Sequence, residues 1–100
     1  MLINATIQVI PLTQIEKAFP IVDKAIELIQ HSGISYSVGA FETTLEGEYE
    51  AVQQLLRKLE DFCYAQKEVQ FLIYSKLHLC GGENILVESK TGKFKQLNCL

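Results

Sequence analysis

The sequence predicts an α+β domain in which two helices cover one face of a four-stranded antiparallel sheet. Three observations carry that expectation. Four stretches read as strands by alternation or by branched and aromatic content, and two others repeat apolar residues at about 3.6. They follow one another as strand, helix, strand, strand, helix, strand.

The first strand, Leu2 to Ile10, alternates Ala5, Ile7 and Val9 against Thr6 and Gln8, and Pro11 is expected to stop it because proline cannot donate to a ladder. From Ile15 the positions Ala18, Phe19, Val22, Ala25, Ile26 and Ile29 recur at three- and four-residue steps, the stripe of a helix lying on a core. Pro20 suits a first helical turn, so the regular helix is expected to begin there. His31, Ser32 and Gly33 end it, with the glycine free to take the left-handed conformation that closes a helix.

Ile34, Tyr36 and Val38 alternate with Ser35 and Ser37, Gly39-Ala40 mark a reversal, and Phe41, Thr43 and Leu45 continue on a second strand. This is a hairpin. After Gly47 the period changes, and Tyr49, Val52, Leu55, Leu56, Leu59, Phe62 and Cys63 form a second helical stripe. Glu68 to Leu79 reads as the longest strand, broken by Gly81-Gly82. With right-handed crossovers the result is a ferredoxin-like βαββαβ sandwich. The second sheet face is left bare, and a bare apolar face calls for another subunit, so a homodimer or homotetramer through that face is expected.

The segment 83–100 is expected to be peripheral to a single domain spanning 1–100. Asn84 is a candidate N-cap for a short helix, while Thr91-Gly92 equally fits a hairpin turn; the helix is the reading preferred.

One hundred residues suffice for one core, and 48% hydrophobic with 21% charged residues is ordinary for a globular chain. A net charge of −3 leaves no basic footprint for nucleic acid. No apolar run approaches the roughly 18 residues that cross a bilayer, and no signal-peptide pattern opens the chain, so a cytoplasmic protein is expected. Cys63, Cys80 and Cys99 are widely spaced, as reduced thiols are, and with His31 and His78 they show no metal-ligand spacing. No catalytic constellation, phosphate loop or dinucleotide fingerprint emerges, so no enzyme, metal or cofactor is expected.

"ATIQVIPL" at 5–12, "HSGISYSVGAFETTLEGE" at 31–48 and a closing strand ending near Lys76 resemble the small thiamine-binding (YkoF-like) family. The resemblance implies a ferredoxin-like fold, oligomerisation through the sheets, and binding of thiamine or its hydroxymethylpyrimidine half in a crevice involving the sheet, without chemistry. It places Thr43 where a threonine lines that crevice and Gln8 where a serine is common. Ala40-Phe41 replaces the family's Pro-Met, which reshapes the pocket.

Five residues are candidates for ligand contact: Gln8, Tyr36, Phe41, Thr43 and Glu46. Thr43 and Thr44 are consecutive on a strand, so only one faces the helices; β-propensity alone also explains a threonine there. A buried hydroxyl needs a partner, which a pyrimidine supplies. Tyr36 and Phe41 suit stacking on a flat cation, although aromatics also fill cores and interfaces. Gln8, an amide in mid-strand, must find hydrogen bonds. Glu46 attracts a thiazolium ring or, like Glu48, favours the start of the following helix. The function expected is a carrier, buffer or sensor for thiamine or hydroxymethylpyrimidine. The alternative is a structural or regulatory homo-oligomer with a degenerate pocket; an enzyme on the same fold is a third reading.

Overall fold

The computed structural model describes residues 1–94; Cys99, read from sequence as a free thiol, lies outside the described residues. The elements are β1 Leu2–Leu12, α1 Ile15–Gln30, β2 Ser35–Val38, β3 Thr43–Glu48, α2 Tyr49–Tyr64, β4 Gln70–His78 and α3 Val87–Thr91, followed by a 3-10 turn at Gly92–Phe94. The strands form one antiparallel sheet in the order β2-β3-β1-β4. The chain thus has the βαββαβ sandwich its periodicities require, with β1 at the centre.

Register fixes the two faces. Leu45 stands opposite Ala5, and Ala5 opposite Leu77; Thr43 stands opposite Ile7, and Ile7 opposite Ser75. These rows face the helices. The intervening rows, Glu46–Asn4–His78 and Thr44–Thr6–Lys76, occupy the other face. Ile3, Ala5, Ile7 and Leu45 meet Ala25 and Ile29 of α1 and Val52, Leu55 and Leu59 of α2 in one core.

Four differences from the sequence reading have local causes. Pro11 does not stop β1, which pairs with β4 as far as Leu12 opposite Gln70. Its pairing with β3 ends at Ile7 opposite Thr43, so beyond Ile7 the strand has a neighbour on one side only, where a residue that cannot donate is tolerated. Pro20 does not begin α1 but lies inside it. Ile15 and Phe19, placed on the core stripe by periodicity, are each 65% exposed, because the first turn of α1 runs beyond the surface it could cover. Replacing Pro20 by alanine, which restores an N–H in the second turn, is expected to stabilise the domain by about 1–2 kcal/mol. A urea midpoint that stays put or falls contradicts this.

The fourth difference concerns the open face and the segment after β4. That segment is not peripheral throughout: residues 84–91 lie across one end of the face expected to be bare. Asn84 caps no helix; its Oδ1 accepts from the Leu2 backbone N–H at 2.8 Å. The Ile85 N–H donates to the Leu2 carbonyl at 2.9 Å, and Asn4 Nδ2 donates to the Ile85 carbonyl at 2.9 Å. The short helix does form, one residue after its cap Leu86. What remains uncovered is the end carrying Gln8, Ile10, Leu72 and Tyr74.

Gly33 closes α1 as expected, at φ +80°. Gly47 is needed for a different reason from the backbone freedom its place between β3 and α2 suggests. It has no positive φ; a Cβ there would come within 3.0 Å of Ile34 Cγ2 and 3.6 Å of Val52 Cγ2. A side chain at this position requires the Ile34 methyl to give by a few tenths of an ångström.

Candidate functional site

Between the helix-facing side of the sheet and α1 lies a hollow of about 150 Å³. Ile7, Val9 and Thr43 border it from the sheet, Val22, Ala25, Ile26 and Ile29 from α1, and the turn Gly39–Glu42 closes its outer end. The apolar lining follows from the same two periodicities that build the core. Gln8, Glu42 and Thr43 are the polar exceptions, and the buried one is Thr43. It is only 5% exposed, on the face of β3 that also carries Leu45. Its hydroxyl is not among the side-chain atoms sealed without a partner, and the hollow it borders is where a hydrogen-bonding ligand can reach it.

The five candidate residues do not converge. Thr43 lines the hollow. Phe41 stands at its mouth, 83% exposed, in the turn held by the Gly39 N–H to Glu42 carbonyl bond of 2.9 Å. Gln8 also borders it, but strand alternation sends its side chain to the open face, in register with Tyr74. Tyr36 and Glu46 are not among its lining residues. Tyr36 lies on the edge strand β2 and is exposed.

The acids near Gly47 are occupied by other work. Glu46 Oε1 accepts from the Val87 N–H at 2.6 Å, and Glu48 pairs with the amino group of Met1. Glu48 stands at the N-cap of α2 but its side chain makes no capping hydrogen bond, and the acid in the first turn is Glu50. The Glu46 contact was invisible to sequence reasoning because its partner is 41 residues away. Only the coincidence of an unpaired strand acid with a short downstream helix offered a hint.

A larger hollow, about 480 Å³, opens between the end of α2 and the start of β4. It contains none of the five residues, and Glu60, Lys67 and Glu68 lie on it at a helix end and a turn rather than beneath the sheet centre. Size alone therefore favours a place where the enclosed polar group is missing. Cys63 borders it, buried on the α2 stripe; burial pushes its thiol above the ordinary value, and the charge of Glu60 adds to the shift. That environment makes an inert thiol. Among the described residues no group of three His, Cys, Asp or Glu side chains is arranged to hold a metal, and no helix is long and apolar enough to cross a membrane.

Fold and hollow together define a small ferredoxin-like α+β sandwich with a nearly buried threonine, Thr43, bordering a mostly apolar recess under its first helix. The chain belongs to the family described as thiamine-binding protein, whose model matches residues 5–93. A UPF0045 protein of Clostridium perfringens is 26% identical over 92 residues, 92% of this chain and 96% of that one. Among solved structures, a candidate thiamine biosynthesis/salvage protein of Thermotoga maritima is 26% identical with a TM-score of 0.86, over 95% of this chain and all of that one. A domain of unknown function, DUF77, from Bacillus cereus is 28% identical with a TM-score of 0.83, covering 95% and 91% of the two chains.

Proposed function

We propose that this protein binds thiamine or its hydroxymethylpyrimidine moiety without chemical conversion, as a carrier, buffer or sensor. The observation that carries the reading is the nearly buried Thr43 bordering a mostly apolar recess, in a chain of the thiamine-binding family. The recess is smaller than the about 300–1,000 Å³ of ordinary ligand pockets, which favours one flat ring over a whole two-ring ligand. In this reading the pyrimidine lies against Ile7, Ala25 and Ile29 and exchanges a hydrogen bond with Thr43. Phe41, at the mouth, stacks on whatever protrudes. The uncovered end of the open face, with Ile10, Leu72 and Tyr74, joins a second copy of the chain in a homodimer or homotetramer.

The same small volume favours a second reading, a homo-oligomer whose pocket has closed. Calorimetric titration with thiamine and with hydroxymethylpyrimidine separates the two. Binding heat and a thermal shift support the first, because a ligand selective for the folded state raises its stability by mass action. Neither signal at millimolar ligand leaves the second. Thr43→Val, which keeps shape and removes the hydroxyl, is expected to weaken binding about fivefold to tenfold, the worth of one hydrogen bond. Gln8→Ala, on the opposite sheet face, serves as the control and is expected to leave affinity unchanged.

A further inference from the structure

We propose that the opposite side of the sheet carries a second binding site, for a phosphate monoester with a small apolar body and at least one O–H or N–H donor. The site is a hollow of about 340 Å³ between the open face and α3, a volume within the range of ordinary small-molecule pockets. Asn4, Thr6, Thr44, Lys76, His78 and Lys90 supply its polar lining.

Asn4 is the first reason. It is 4% exposed, and its Nδ2 donates to the Ile85 carbonyl at 2.9 Å. That bond fixes the amide orientation, since the flipped form would set oxygen against oxygen. Asn4 Oδ1 is then sealed from solvent without a partner, and among the described residues it is the sole buried side-chain nitrogen or oxygen in that condition. Of the hollows described here, this is the one Asn4 borders. A buried amide oxygen left unpaired is costly, and a donor brought by a ligand relieves it.

Charge is the second. The chain has 12 acids against 9 lysines and arginines, yet this lining holds two lysines and a histidine and no carboxylate. Lys90 Nζ lies 2.8 Å from His78 Nδ1. Lys76 has Glu42 at 4.0 Å on an exposed part of the face, a distance that leaves room for a closer anion. Register sets Lys76, Thr6 and Thr44 in one row across three strands, so one hydroxyl lies beside the cation and a second one strand further on. Two ammonium groups and two hydroxyls match the several oxygens of a phosphate better than the two of a carboxylate. Val87 gives the apolar wall.

Thr43 and Thr44 therefore border two different hollows, one on each face. Because α3 forms a wall of the second, a ligand there also holds the segment from Asn84 to Thr91 against the sheet.

The full chain, labelled with 15N, is titrated with phenyl phosphate, with phenol and inorganic phosphate as the two halves of the probe. Phenyl phosphate is expected to shift the Asn4 side-chain amide and the backbone amides of Thr6, Thr44 and Lys90 at millimolar concentration, and to bind more tightly than either half. Lys76→Met with Lys90→Met is expected to weaken it at least about tenfold. Should that variant lose its dispersed spectrum, Thr6→Val with Thr44→Val takes its place, with a smaller loss expected. Absence of shifts, shifts scattered over surface lysines such as Lys17 and Lys24, shifts confined to residues around Thr43, or undiminished binding in a folded variant would each overturn the proposal. The thiamine reading is untouched by these outcomes, since its probe is a cation and its reporter is Thr43.

Discussion

Leu45→Ala is expected to lower the unfolding free energy by about 2–5 kcal/mol, the range for truncating a fully enclosed leucine. Leu45 has no exposed surface and sits in the middle strand pair, opposite Ala5 on β1 and Tyr36 on β2. Ala5 across the sheet is too small to swing into the vacated space, and the helices above are anchored by Val52, Leu55 and Leu59. The cavity should therefore persist, which puts the cost in the upper half of the range. Domains of this kind are stable by only about 5–15 kcal/mol in total. With a urea slope of about 1–3 kcal/mol per molar, the midpoint should fall by roughly 1–3 M. A shift too small to resolve would mean that Leu45 is not where the structure puts it.

Gly47→Val should cost nearly as much, by the opposite mechanism. A Cβ at 3.0 Å from Ile34 Cγ2 already forces that methyl to give by a few tenths of an ångström, and the two further methyl groups of valine have Val52 at their other side. Overpacking of this kind costs about 1–3 kcal/mol, and more when the backbone must move. Gly47→Ala, with only the first of these contacts, should be the milder change. The diagnostic measurement is a double-mutant cycle: Ile34→Ala costs stability alone, but in the Gly47→Val background it should cost much less, because it removes the clash. Strictly additive effects would show that Ile34 is not the obstacle.

How far the sequence carried can be judged residue by residue. Period-two alternation identified the strands and told that Thr43 and Thr44 face opposite ways, because a strand allows nothing else. Gly33 was legible for the same kind of reason: its role is set by its immediate neighbours. Phe19 was misplaced because periodicity reports which face of a helix is apolar, not how far the surface beneath it extends. The spacing of Gly47 from Ile34, the use of Glu46 by Val87 and the sealing of Asn4 under Ile85 all depend on contacts between distant segments. No local pattern encodes them. The candidate site divided along the same line: alternation lets Thr43 face the helices and sends Gln8 and Glu46 to the other face, whereas Tyr36 shares the helix-facing row of Leu45 but lies on the edge strand, outside the lining of the hollow.

The strand order has a bearing on how the molecule is made. The central strand precedes both of its neighbours along the chain: Ile7 waits for Thr43, and Asn4 waits first for Glu46 and then for His78. Until the last of the four strands emerges, a ribbon carrying Ile3, Ala5, Ile7 and Val9 on one face stands without its second flank. Pairings so remote along the chain are slow to close. Nascent chains of this protein should therefore complete the sheet only once β4 is available, and be a natural client for chaperones that shield unpaired strands during synthesis.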